Sequence, residues 1–260
     1  MYFNNIHIKF YVLIAIIGFF VGKFVAWCNL RFPEEKKIFS KDFFKENKAG
    51  NIKGSYIMMI ITAVIYIGLL YKFGLKSELI KNLDLIKFLI LTPMLVSSFF
   101  IDLKHRILPN RLNMTMFEIG IIFVFIYGLN NLNIAKDMVL GLFTGGGIFL
   151  AITLLGGAIA GKEAMGLGDV KFMGALGLYF GFSVISEISL FAFLIATVVS
   201  IIVLFVRLKI LKSDDEYIPF GPFLAFSALC MIFIPANTVF LSFIEFCRLI
   251  SDKLLSIGNK

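Results

Sequence analysis

The 260-residue chain has few charged side chains, and this scarcity excludes an ordinary soluble domain. Charged residues make up 16% of the chain, against about 25% in a typical globular domain. Hydrophobic residues make up 59%, and a soluble fold of this size needs far more polar surface to face water. The same numbers exclude a disordered chain. The composition therefore indicates a membrane protein.

Metal-binding residues are also scarce. The chain has three cysteines and two histidines, and no C-x-x-C pair. A structural zinc site needs clustered thiolates or imidazoles, and a disulfide framework needs an organised set of cysteines. His105 lies three residues after Asp102, but His7 is expected on the opposite side of the membrane. We therefore predict no metal and no cofactor.

The small charged inventory is unbalanced, with 25 Lys and Arg against 17 Asp and Glu. In a membrane protein this excess reports topology and contact with anionic lipids, so we do not expect nucleic acid as a partner. Sixteen basic residues lie on one side of the predicted spans and nine on the other. The richer side is expected to be cytoplasmic, which places both termini outside.

Apolar runs predict the fold class: an all-α, polytopic helical bundle with about eight transmembrane helices. A helix needs roughly 20 mostly apolar residues to cross the bilayer core. The sixth candidate is short and contains glycine, which suggests a tilted or partly re-entrant segment. The tail from 237 to 257 mixes apolar and charged residues as an amphipathic interfacial helix does. The eight candidate spans are 9–28, 55–73, 85–101, 112–129, 137–160, 173–187, 188–207 and 219–235.

Two aspartates stand where predicted spans meet the aqueous phase. Asp102 follows the third span and Asp169 precedes the sixth, so both are expected on the same face of the membrane. Ionisable groups at the edge of the hydrocarbon are costly and often functional. Each also has a structural explanation. Asp169 could cap a helix start, and Asp102 could lie in a solvated turn beside basic neighbours.

Taken together, the two aspartates favour a catalytic pair. Two carboxylates that share a site repel each other when both are ionised, so one proton is held between them. One carboxylate can then activate water while its protonated partner polarises a peptide carbonyl. Lys171 could bias this proton sharing or bind a lipid phosphate. Glu118, in the fourth span, is expected to hydrogen-bond another helix. The glycines at 145–147 are expected to allow close helix packing.

Three segments around these aspartates resemble the type IV prepilin peptidases, a family of GxGD-type membrane aspartic proteases. Residues 101–112 (IDLKHRILPNRL) are similar to the family's Asp segment, which ends in a Pro-Asn or Pro-Asp turn. Residues 166–172 (GLGDVKF) resemble its G-x-G-D-x-K element, and residues 218–225 (IPFGPFLA) resemble the turn into its last span. Residues 22–33 are similar to the N-terminal stretch that leads into a cytoplasmic loop.

The resemblance implies an aspartic endopeptidase of the bacterial cytoplasmic membrane that acts at the cytoplasmic face. Asp102 and Asp169 would be catalytic, supported by Gly166, Gly168 and Lys171. The substrates would be prepilins or pseudopilins, which carry a basic leader, a glycine before the cut and then a hydrophobic helix. Anionic lipids would attract the basic leader.

The family's architecture also suggests three regions in this chain. Residues 1–84 form an N-terminal membrane region, residues 85–235 the aspartic prepilin peptidase core, and residues 236–260 the amphipathic tail. In many members the loop equivalent to about 29–54 carries two C-x-x-C pairs that bind zinc, whereas residues 34–54 here contain no cysteine. Many members are also N-methyltransferases, and this difference puts that second activity in doubt for this chain.

Two other functions are compatible with the sequence. One is a presenilin-like protease that cuts within the spans of unrelated substrates. The other is a small ion-coupled transporter in which Asp102 and Asp169 bind the coupling ion, although no internal repeat supports it. The sequence leaves open the oligomeric state, the pilus or secretion system served, and the aspartate that carries the proton.

Overall fold

The computed structural model of the chain describes residues 2–4, 6–33, 52–76, 78, 80–161, 165–206 and 219–258. Over these residues the protein is a helical bundle preceded by a short hairpin of β1 (Tyr2–Phe3) and β2 (Ile6–His7). A single 3-10 turn, Ile80–Asn82, precedes the third helix. The eight helices are α1 (Ile8–Arg31), α2 (Ile52–Phe73), α3 (Leu83–His105), α4 (Asn110–Asn130), α5 (Leu132–Ala160), α6 (Leu167–Val206), α7 (Gly221–Phe233) and α8 (Thr238–Gly258).

Six of the described helices are long and apolar enough to cross a membrane, and a seventh span results if α7 and α8 are counted as one bent segment. The prediction of a polytopic helical bundle is therefore confirmed, and the protein is a multi-pass membrane protein. The difference from eight predicted spans has two sources. The predicted spans 173–187 and 188–207 both fall on α6, which the structure describes to Val206, and α7 alone has 13 residues.

Helix α6 is broken at Gly181, not at the predicted boundary between residues 187 and 188. An unbroken 40-residue helix would be about 60 Å long, twice the hydrocarbon thickness of about 30 Å. Gly181 has φ 76° and ψ 177°, a backbone conformation that residues with a Cβ rarely adopt. Asp137 on α5 accepts a hydrogen bond from the Phe182 N–H at 3.3 Å. We refer to residues 167–180 as α6a and residues 182–206 as α6b.

Glycines bring α5 and α6a into backbone contact. A Cβ at Gly141 or Gly177 would overlap the backbone of the other helix, and one at Gly145 would overlap the Met173 carbonyl. Gly147, by contrast, has open space beside it. The expected packing role of the 145–147 glycines therefore holds at Gly145 and not at Gly147. Close approach of this kind lets helices associate without a hydrophobic driving force in lipid.

The far end of α7 is fixed by a buried carboxylate that the sequence analysis did not single out. Glu187, only 3% exposed on α6b, accepts hydrogen bonds from the backbone N–H groups of Asn237 and Val239. It thereby holds the turn where α8 departs at 105° from α7. Glu118, which was expected to hydrogen-bond between helices, is instead exposed on α4, so that prediction is wrong.

Candidate active site

Asp102 is buried in the last turn of α3, with 5% of its surface exposed. Ser98, one turn earlier on the same face, is fully buried, whereas the following residues Leu103 to Arg106 are exposed. Arg106 ends the helix in the left-handed conformation, and its N–H donates to the Asp102 carbonyl. The carboxylate thus faces the bundle interior, and the alternative of a solvated turn is wrong.

The start of α7 closes over Asp102. The backbone N–H of Gly221 donates a hydrogen bond to the Asp102 carboxylate. A Cβ at Gly221 would lie 2.5 Å from Asp102 Oδ2, so the approach requires glycine. The preceding residue, Phe220, is fixed by its ring, whose centroid lies 5.1 Å from that of Phe193 and 6.1 Å from that of Phe149. This aromatic cluster joins α5, α6b and α7 and positions the Gly221 donor.

Asp169 lies in the first turn of α6a and approaches Asp102 from a different helix. The two carboxylates are close enough for their charges to interact. The helix begins at Leu167, so Asp169 is inside the first turn and is not the N-cap residue considered from sequence. Its N–H donates to the Gly166 carbonyl at 3.1 Å. A negative charge in the first turn is favoured by the helix dipole.

The turn before Asp169 is held by the beginning of α4. Asn113, which is 2% exposed, donates from Nδ2 to the Gly168 carbonyl at 3.1 Å. A Cβ at Gly168 would lie 3.3 Å from the Cβ of Leu108, tighter than ordinary contact. Lys171 is exposed and donates from Nζ to Asn110 Oδ1 at 3.0 Å. These contacts fix the register between the Asp169 turn and the segment that follows Asp102.

The structure therefore brings Asp102 and Asp169 together and surrounds them with the three segments singled out from the sequence. Gly168 packs against α4, Gly166 accepts the Asp169 N–H, and Lys171 hydrogen-bonds to Asn110. Sequence reasoning missed two residues that contact the site. Gly221 lies in the quoted 218–225 segment but was given no role. Asn113 lies one turn after Asn110, between Leu112 and Met114, and a polar residue between two apolar neighbours was its only signal.

The acidic side chains at this site are the two aspartates. Within the described part of the chain, no group of three or more His, Cys, Asp or Glu side chains could hold a metal ion. The arrangement offers two acidic groups from separate helices and one backbone N–H donor. Such a pair can move a proton between substrate and solvent.

Residues 89–205 match the type IV leader peptidase family. Three relatives are prepilin leader peptidase/N-methyltransferases. The relative from Xanthomonas campestris is 29% identical over 180 residues, which cover 68% of this chain and 58% of the relative. The relative from Legionella pneumophila is 34% identical over 143 residues, covering 54% and 46%. The relative from Aeromonas hydrophila is 31% identical over 137 residues, covering 53% and 45%.

The matched region spans about half the length of these curated relatives. No solved structure matches the chain significantly. The family match covers α3 from Leu89, all of α4 and α5, and α6 to Phe205, so it includes both aspartates. Through this segment the chain is similar to the type IV leader peptidase family.

Proposed function

We propose that this protein is a membrane aspartic endopeptidase that removes the basic leader peptide from type IV prepilins or pseudopilins. The observation that carries the proposal is the interaction between the Asp102 and Asp169 carboxylates, which belong to helices far apart in the chain. Both residues lie in the segment that matches the family. The relatives' shared designation as prepilin leader peptidases supports the substrate class.

In the proposed reaction, one carboxylate takes a proton from water while the other, protonated, hydrogen-bonds the peptide carbonyl. Water attacks the carbonyl carbon, the C–N bond breaks, and the departing amine receives a proton. The Gly221 N–H donates to the Asp102 carboxylate and would fix its orientation during the reaction. Either aspartate could begin the cycle as the base.

We propose that the cut follows a glycine at the cytoplasmic edge of the bacterial inner membrane. Asp102 is in the last turn of α3 and Asp169 in the first turn of α6, so both lie at helix ends. The excess of Lys and Arg on the same side favours the cytoplasm. A peptide bond must leave the helical conformation to be cleaved, and glycine favours that local unwinding. Anionic lipids would concentrate the basic leader at this surface.

The decisive experiment replaces each aspartate by its nearly isosteric amide. With a co-expressed prepilin, we expect Asp102→Asn and Asp169→Asn to abolish processing while membrane insertion and abundance persist. Glu118→Gln, an equivalent change at an exposed carboxylate on α4, should process normally. Processing by both aspartate variants at the wild-type level would contradict the proposal.

Mass spectrometry of the mature prepilin tests the finer points in one measurement. The mass of the N-terminal peptide should place the cut after glycine, and we expect no added methyl group, because the loop at 34–54 lacks cysteine. Excess EDTA should leave cleavage unchanged. Activity that falls with EDTA and returns with zinc would contradict a metal-free carboxylate mechanism.

A further inference from the structure

An apolar groove of about 450 Å³ lies beside Asp102, between α3, α6b and α7. Ten of the described residues line it, and all except Arg106 are apolar. Phe99 and Leu103 form the α3 wall, Val199 and Val203 contribute to the α6b wall, and Phe226 lies on α7. Leu103 and Phe226 are largely exposed, so the groove opens sideways from the bundle toward lipid.

Residues that line the groove flank the candidate active site on two helices. Phe99 and Arg106 lie about one helical turn before and after Asp102 on α3, so Asp102 is next to this wall along the helix. On the α7 side the lining residues Pro219 and Pro222 flank Gly221, whose N–H bonds Asp102. A chain cleaved at the aspartates could therefore enter the groove directly.

We propose that this groove binds the apolar helix that follows the cleaved bond of the substrate, over about two helical turns. This inference rests on the proposed function and adds a binding site to it. The lining residues on α6b recur at 195, 199 and 203, one face of the helix over eight residues. At 1.5 Å per residue, this wall is about 12 Å long, which is the rise of two turns of a bound helix.

The apolar lining and the lateral opening both suit a substrate that is already in the membrane. Its helix can approach through lipid without crossing water, whereas the leader stays at the surface. Because lipid tails are as apolar as the groove, binding must come from shape and close packing. Filling the groove should then impair binding more than changing its polarity slightly.

Val199→Trp tests the groove because it places a large ring between the walls. We expect processing of a co-expressed prepilin to fall about tenfold or more, equivalent to about 1.4 kcal/mol of binding free energy. In an assay with purified enzyme and prepilin, the loss should appear mainly as a higher KM. Val198→Trp is the matched control, since Val198 is the adjacent residue on α6b, is 57% exposed and does not line the groove. It should process at the wild-type rate.

Photocrosslinking keeps the test independent of folding. A benzoylphenylalanine in place of Phe226, an aromatic lining residue that is 45% exposed, should crosslink to the prepilin helix in membranes, and one at position 198 should not. Wild-type processing by Val199→Trp, equal crosslinking at the two positions, or crosslinks from position 226 to lipid only would each contradict the groove as a binding site while leaving the aspartate pair intact. Failure of the wild type to process any prepilin would instead overturn the proposed function.

Discussion

The contact between Gly221 and Asp102 makes a sharp prediction for Gly221→Ala. The added Cβ would lie 2.5 Å from Asp102 Oδ2 and 3.0 Å from Cγ. The shorter distance is about 0.9 Å less than ordinary van der Waals contact, so either the carboxylate moves or α7 shifts from α3. A misplacement of about 1 Å at a reacting group can cost on the order of 100-fold in rate. We expect kcat for prepilin cleavage to fall by about that factor.

The assay compares initial cleavage rates of purified variants in detergent at equal folded concentration, determined by thermal unfolding. Gly147→Ala is the matched control. Gly147 lies within α5, and a Cβ there would have no neighbour within 4 Å. Alanine favours a helix over glycine by about 1 kcal/mol, so this variant should be as active and at least as stable as the wild type. A Gly221→Ala variant with wild-type kcat would refute the argument that this contact positions Asp102.

Three other contacts give predictions of smaller size. Asn113→Ala should lower the free energy of unfolding by about 1 kcal/mol or more and slow cleavage, because it removes the hydrogen-bond donor to the turn before Asp169. Met114→Ala, at an exposed neighbour, should do neither. Equal shifts of the unfolding temperature in the two variants would contradict this. Lys171→Met and Asn110→Ala should show a coupling free energy of roughly 0.2–1 kcal/mol in a double-mutant cycle, because their hydrogen bond is exposed. Strictly additive effects would argue against the bond. Glu187→Gln should weaken the cap of α8 and lower the unfolding temperature without changing kcat per folded molecule. A fall in kcat would instead mean that the far end of α7 affects the geometry of the two aspartates.

Hydropathy alone was sufficient to predict that the protein is a helical bundle, but not where α6 is broken. The run from 173 to 206 is mostly apolar, and its one charged residue, Glu187, lies six residues after the break, so no change of composition marks residue 181. The break depends on a positive φ at Gly181 and on a hydrogen bond from the next residue to Asp137, which is more than 40 residues earlier on α5. Such a contact is visible only once the helices are packed.

The candidate site was likewise predictable from the sequence only in part. Counting spans was enough to expect Asp102 and Asp169 on one face, because parity does not depend on exact helix ends. The partner of Lys171 could not be chosen from sequence, since a long flexible side chain reaches several acceptors. Gly221 was also beyond sequence reasoning, because its role follows from the distance between α3 and α7 and from the direction of one N–H group.

The site lies at helix ends for a reason that connects the motifs. Within a helix every backbone N–H is bonded internally, so free donors occur only in the first turn. Asp102 is at the end of α3 where the helix dipole disfavours a negative charge, at a cost of about 0.3–1 kcal/mol. The first turns of α6 and α7 bring their positive ends to the same place, one carrying Asp169 and the other donating from Gly221. The ionised state of the pair therefore depends on the position of α7, and variants that displace α7 should impair catalysis before they unfold the bundle.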